Sequence, residues 1–315
     1  MRVGAIDCGT NSIRLLIADR EDGALTDIVR RMEIVRLGQG VDVTGRIAPE
    51  AMDRTLRVAA EYAAQCHEHG AERVRFVATS ASRDASNAAE FVDGIRSAFG
   101  DLDVTPQVVS GDEEASLSFT GATGDLLASG VRAPYLVVDL GGGSTELVRG
   151  TTAVEQARSV DIGCVRMTER HLRSDPPTCT EIAAALADIH AALDLAERTV
   201  DLSGIGTLVG LAGSVTTITA HALGLRRYDS AAIHGTSLPV DVVLGACTDL
   251  LEMTREQRAS LGFMHEGRVD VIGAGALVWR TVIERMIDRS AITEVTASEH
   301  DILDGIALSV PSLVE

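Results

Sequence analysis

Aromatic residues make up only 3% of this 315-residue chain, with a single tryptophan, so any core must be built from Val, Ile, Leu and Ala. The five cysteines (Cys8, Cys66, Cys164, Cys179 and Cys247) are odd in number and form no C-x-x-C pair, which argues against a disulfide scaffold or a zinc site and favours a reducing cytoplasm. No apolar run approaches the roughly 18 residues that a spanning helix needs. No secretory leader is expected, because Arg2 runs directly into the strand-like Val3–Ile6. Basic residues are scarce: 28 against 46 acidic ones leave a net charge of −18, which disfavours nucleic acid and anionic membranes as partners. There is no Gly-Lys-Ser/Thr phosphate loop and no dinucleotide fingerprint, and the eight histidines show no ligand spacing. A small anionic partner is still compatible with this charge if arginines, backbone amides and a metal ion are placed locally to receive it.

With 45% hydrophobic and 23% charged residues, the composition is globular and the length suits two domains. Residues 3–7, 12–19 and 25–37 read as strands separated by glycine-containing turns. A helix is expected from Pro49 to a stop at Gly70, with Met52, Leu56, Ala60, Ala63 and Cys66 on one face. Next come an expected strand at 73–79, helix at 84–99, strand at 104–110 and helix at 112–120. This alternation implies an α/β fold whose sheet becomes parallel after an antiparallel start. Strands near 151–160 and 207–212 and a helix near 180–200 are expected in the second half.

The opening recurs. Residues 3–12 lie over 135–144 without a gap, each an apolar strand, then Asp-x-Gly, a small polar turn, and Ser opening another strand. This repeat points to duplicated domains joined near Gly121–Pro134, with a ligand cleft between them. Asp7 and Asp139 end the two strands, and carboxylates so placed suit one shared, hydrated Mg²⁺. A plain Asp-Gly turn is the alternative for either copy alone. Gly9-Thr10-Asn11-Ser12 and Gly141-Gly142-Gly143-Ser144-Thr145 read as phosphate-contacting turns rich in amides and hydroxyls. Glu146 falls on the same side of its strand as Ser144, either holding the metal or its waters or lying solvated. One glutamate of Asp112-Glu113-Glu114 is a candidate general base, although acids in a first helical turn also serve the helix dipole. Arg83, at a strand-to-helix turn, is a candidate phosphate clamp or else a surface partner of Asp84 or Glu90. Arg14 and Arg166 are weaker candidates for the clamp. Gly210–Ser214 is a third glycine turn at a helix start, equally explained by close packing, and Gly38-Gln39-Gly40 is a weak glycine pair.

Four segments, 5–12, 78–87, 110–115 and 138–146, come in the order found in the exopolyphosphatase/guanosine pentaphosphate phosphohydrolase (Ppx/GppA) family, and the chain resembles that family over its whole length. The resemblance implies two duplicated actin-like, ribonuclease H-like domains. In this arrangement the last helix returns to the first domain, so the domains are 1–126 with about 301–315, and 127–300. It implies Glu114 as catalytic base, and Asp139 and Glu146 as Mg²⁺ ligands with Asp7 nearby. It also implies glycine turns and Arg83 on phosphate, a homodimer, and cytoplasmic hydrolysis of the terminal phosphate of inorganic polyphosphate. Guanosine pentaphosphate is the alternative substrate, followed by a kinase reaction and by a non-catalytic polyphosphate or alarmone binder. The resemblance implies the short two-domain form, without the extra C-terminal helical domains of longer family members.

Overall fold

A computed structural model describes residues 1–102 and 104–311, with backbone only for 125–129. The chain divides into two compact units, Met1–Gly121 with Ile302–Glu315, and Ala122–Asp301. Of the expected first domain, residues 103 and 312–315 lie outside the described residues.

The first unit holds a five-stranded sheet. Its strands are β1 (Arg2–Cys8), β2 (Ser12–Glu21), β3 (Ala24–Ile34), β4 (Arg73–Ala78) and β5 (Gln107–Val108), in the order β3-β2-β1-β4-β5. β1, β2 and β3 form an antiparallel meander, and β4 and β5 run parallel to β1. The central strands are continuous aliphatic runs because both of their faces are covered. Ile6, Cys8, Ile13, Leu15 and Ile17 pack with residues of the helices Pro49–Glu68 and Ala88–Phe99. Val3, Ala5, Leu16 and Ala18 pack on the other side with Leu117 and the last helix, Ile302–Ser309. Four of the five phenylalanines lie here, with Phe76 edge-on to Phe91 and Phe99 at centroid distances of 6.3 and 5.8 Å.

Three local expectations change. The helix expected over 84–99 is two helices, Ser80–Asp84 and Ala88–Phe99. Asn87 breaks it because its side chain bonds the Ile47 backbone in both directions, accepting from the amide (2.9 Å) and donating to the carbonyl (3.1 Å). The strand expected over 104–110 pairs only at Gln107–Val108. The helix expected to stop at Thr120 runs Gly111–Ser129, through much of the expected linker. Gly121, Ala122 and Thr123 are buried in it, and a packed helix tolerates a glycine that would mark a break in solvent.

The last helix touches backbone to backbone. A Cβ on Gly305 would stand 2.0 Å from the Leu117 carbonyl oxygen, so only glycine lets this helix close on Gly111–Ser129. Arg30 reaches buried Asp304 at 2.6 Å, and the Arg20 guanidinium donates to the carbonyls of Leu308 (2.7 Å) and Val310 (2.5 Å).

The second unit repeats the plan. β6 (Tyr135–Leu140), β7 (Thr145–Gly150) and β8 (Val154–Val160) form the meander, and β9 (Thr207–Leu211) runs parallel to β6. β10 (Ser237–Pro239) and β11 (Glu294–Ala297) extend the sheet, giving the order β10-β11-β9-β6-β7-β8. One core joins Leu136, Val138 and Leu147 to Trp279 and other residues of the helices Cys179–Ala196, Ala212–Ala222, Val240–Glu252 and Ile272–Ser290. All five cysteines are free and only Cys179 is exposed. Among the described residues no helix is long and apolar enough to cross a membrane.

Two predictions follow from the packing. Gly305→Ala should destabilise the protein by about 1–3 kcal/mol, the usual cost of overpacking, read by denaturant unfolding. Glu181 closes a capping box with Thr178 and accepts from the Ser174 and Thr178 amides, which lower its pKa to about 2. A depressed carboxyl contributes stability above its ordinary pKa that disappears as pH falls toward 2. Thermal melts of Glu181→Gln should therefore lose that part of the acid dependence, and the variant should melt lower than wild type at pH 7.

Candidate active site

In both units the chemistry-bearing segments leave the sheet at the carboxyl ends of parallel strands, where open α/β sheets bind ligands. In the first unit Cys8 aligns with Ala78 and Ala78 with Val108, and the Thr79 amide donates to the Cys8 carbonyl at 3.1 Å. The turn 9–12, the helix Ser80–Asp84 and the helix Gly111–Ser129 therefore start from one edge. In the second unit Asp139 aligns with Leu211, and Gly210 with Ala297.

The two turns are built alike. Gly9 N–H donates to Ser12 O at 2.9 Å, and Gly141 N–H to Ser144 O at 3.1 Å. Their carbonyls are occupied from behind. Thr10 O accepts from Gly38 N–H (2.8 Å), and Asn11 O from Val35 N–H (3.0 Å) and Arg36 N–H (2.9 Å). Gly141 O accepts from Cys164 N–H (3.0 Å), and Gly142 O from Val165 N–H (2.9 Å) and Arg166 N–H (3.2 Å). Gly143 O accepts from Gly163 N–H (3.2 Å) and from Arg166 Nε (2.7 Å). Among the described residues the amides of Thr10, Asn11, Gly142 and Gly143 have no hydrogen-bond partner. Consecutive amides with their carbonyls turned away form an anion-receiving nest.

The carboxylates differ between the units. Asp7, 5% exposed, shares the sheet face of Val3 and Ala5, and its partner across β1 and β2 is Arg14. Arg14 donates to Asp7 Oδ2 from Nε (2.9 Å) and Nη2 (2.7 Å), so the arginine that the sequence offers as a weak clamp pairs with this aspartate instead. At the equivalent register in the second unit, Asp139 faces Glu146. Both are buried, at 7% and 1% exposed, on the face opposite Leu136, Val138 and Leu147. The Ser159 hydroxyl donates to Glu146 Oε1 at 2.7 Å. Two acids directly opposite in an antiparallel pair repel, and a cation between them relieves the repulsion.

Among the described residues no group of three or more His, Cys, Asp or Glu is arranged to hold a metal ion. Mg²⁺ needs no such cage, since it binds through one or two carboxylates and keeps waters and phosphate oxygens. The donor set Asp139 and Glu146 fits it.

Of the three acids that open the helix Gly111–Ser129, Asp112 and Glu113 are exposed and Glu113 pairs with Arg75 at 2.7 Å. Glu114 is 7% exposed, and its Oε2 accepts from Arg83 Nη1 at 3.0 Å. Arg83 also donates to Val109 O at 3.0 Å, so it is neither a surface arginine nor a partner of Asp84 or Glu90. Thr10 is buried with its hydroxyl 2.8 Å from that of Ser80. Ser144 and Thr145 are also buried, and Thr145 donates to Ile162 O at 3.1 Å, a structural bond.

Several supporting roles differ from the sequence reading, which gave Gly38 only as part of a weak glycine pair and Arg166 as a weak clamp. Gly38 supports the first turn, and a Cβ there would stand 2.3 Å from Thr10 Cγ2. Gly163 supports the second, where a Cβ would stand 2.3 Å from Gly142 O. Arg166 braces Gly143. The gapless repeat held one usable signal: Arg14 and Glu146 stand at equal spacing from Asp7 and Asp139, with opposite charge. In the Gly210–Ser214 turn, Arg268 donates to Gly213 O at 3.1 Å, and a Cβ on Gly213 would stand 2.0 Å from Arg268 Nη2. At Gly210 in the same turn a Cβ would stand 2.6 Å from Trp279 Cζ2 and 2.7 Å from Val215 Cγ1, so close packing accounts for that glycine.

The profile of the Ppx/GppA phosphatase family matches residues 16–310. Exopolyphosphatase 2 of Mycobacterium tuberculosis is 51% identical over 98% of this chain and 98% of its own. The guanosine-5'-triphosphate,3'-diphosphate pyrophosphatase of Vibrio cholerae is 32% identical over 67% of this chain and 41% of its own. Among solved structures, the Aquifex aeolicus PPX-GPPA enzyme superposes with a TM-score of 0.79 at 30% identity, covering 98% and 99% of the two chains. The fold is α/β, with two duplicated actin-like domains.

Gly163→Ala should push the second turn out of place. We expect a stability loss of about 1–3 kcal/mol and shifted amide resonances at Gly142 and Gly143 in a ¹⁵N correlation spectrum, with the first turn unaffected.

Proposed function

Because the chain belongs to the Ppx/GppA phosphatase family, we propose that it is an exopolyphosphatase, a phosphoanhydride hydrolase that removes the terminal phosphate of inorganic polyphosphate. The observation that carries the reading is Glu114, a buried carboxylate held by Arg83 at the strand edge where the first glycine turn begins. The full-length similarity to an exopolyphosphatase favours polyphosphate over guanosine pentaphosphate.

Glu114 takes a proton from a water that attacks the terminal phosphorus in line. A P–O bond forms from that water, the P–O bond to the bridging oxygen breaks, and orthophosphate and a chain one unit shorter remain. The amides of Thr10 and Asn11 in one turn, and of Gly142 and Gly143 in the other, receive phosphate oxygens. Arg83 orients Glu114 through Nη1 and keeps Nε and Nη2 for a phosphate oxygen. Such a transfer depends on positioning and charge stabilisation more than on covalent chemistry. Asp139 and Glu146 would hold Mg²⁺, which supplies positive charge against that on the phosphoryl and leaving oxygens. Asp7 is already paired with Arg14. The free cysteines support a cytoplasmic location, the net charge of −18 disfavours nucleic acid and membrane partners, and the homodimer rests on resemblance alone.

The test is phosphate release from polyphosphates of defined length and from guanosine pentaphosphate, with Mg²⁺ or with chelator. Release from polyphosphate that stops with chelator is expected. Folded Glu114→Gln should lose about 10²–10⁴ in kcat, the usual contribution of a general base. Wild-type rates in that variant would remove Glu114 from the mechanism, and calorimetric binding without turnover would make the protein a polyphosphate sensor.

A further inference from the structure

Two serines of the helix Ser80–Asp84 are buried, and their hydroxyls have different surroundings. Ser80, 3% exposed, has Oγ 2.8 Å from Thr10 Oγ1. Ser82, 1% exposed, has no hydrogen-bond partner for Oγ among the described residues. Thr10 is held on both sides, its hydroxyl by Ser80 and its methyl by the backbone at Gly38. Three residues beyond Ser80, Arg83 donates to Glu114.

We propose that Ser80 is a positioning residue for the hydrolysis: its hydroxyl ties the phosphate turn at Thr10 to the short helix that carries Arg83, and so fixes Glu114 relative to the phosphate. This rests on the reading of Glu114 as the base. Each hydroxyl has one proton and two acceptor lone pairs. With Ser80 donating to Thr10, the Thr10 proton is left to turn toward an anion. The bond also joins segments 70 residues apart, and it is the side-chain tie between the turn and the helix beyond the Thr79 amide bond to the Cys8 carbonyl at the strand edge.

The test is kcat, KM and thermal midpoint on polyphosphate for Ser80→Ala, Thr10→Val, the double variant and Ser82→Ala. Thr10→Val keeps the packing at Gly38 and removes only the hydroxyl. Ser80→Ala should lower kcat about 10- to 100-fold, the scale of a small misplacement near reacting atoms, with KM within about threefold. The double variant should have a kcat no lower than Thr10→Val alone, because both changes remove one bond. Ser82→Ala deletes an equally buried hydroxyl from the same helix and should keep kcat within about twofold.

A wild-type kcat in Ser80→Ala, an equal loss in Ser82→Ala, or losses that multiply in the double variant would overturn the proposal. If Ser80→Ala does not fold, Thr10→Val against Ser82→Ala carries the comparison. A wild-type protein that releases no phosphate overturns the proposed function and this inference together, whereas turnover with an unaffected Ser80→Ala overturns the inference alone.

Discussion

Every buried carboxylate in this protein needs an opposing charge or donor, and how that need is met separates the two halves of a duplicated frame. In each half an aspartate ends the first strand and faces the residue seven positions on. In the first half that residue is Arg14, and the pair is internally neutral. In the second it is Glu146, and two acids stand opposite one another with little exposure to water. A protein with a net charge of −18 does not relieve that pairing by its general field. A hard divalent cation between them would, and it would bring the positive charge that a polyanionic substrate requires.

The two glycine turns follow from the same economy of polar groups. Backbone carbonyls and amides in a buried turn must each find a partner. Both turns give their carbonyls to supporting segments, 35–38 in one case and 163–166 in the other, and leave consecutive amides without one. Gly38 and Gly163 are needed because the supporting segments approach to distances at which no Cβ fits. Arg166 and Arg268 direct donors to glycine carbonyls, so Arg166, a clamp candidate in sequence, acts as a brace.

Much of this was legible in one dimension. The gapless match of residues 3–12 to 135–144 exposed the duplication, and the double-sided burial of β1 and β2 showed as unbroken aliphatic runs. Local signals misled where tertiary contacts override propensity. Asn87 broke a helix by reaching Ile47, 40 residues away, and Gly121 did not break one because it is packed. The three acids of residues 112–114 were indistinguishable by periodicity, since a helix start favours acids whatever they face.

By itself the sequence determined the strand and helix plan, the duplicated Asp-x-Gly turns, the free thiols and the family. These depend on spacing and composition within short segments or on similarity along the whole chain. Only the tertiary structure decided that Glu114 is buried against Arg83 while Glu113 turns outward to Arg75, and that Thr10 is fastened to Ser80. It also decided that Arg14 cancels Asp7 while Glu146 doubles the charge at Asp139. Burial and pairing depend on which side chains the fold brings within about 3 Å, the range of a hydrogen bond, and neighbours along the chain do not specify that.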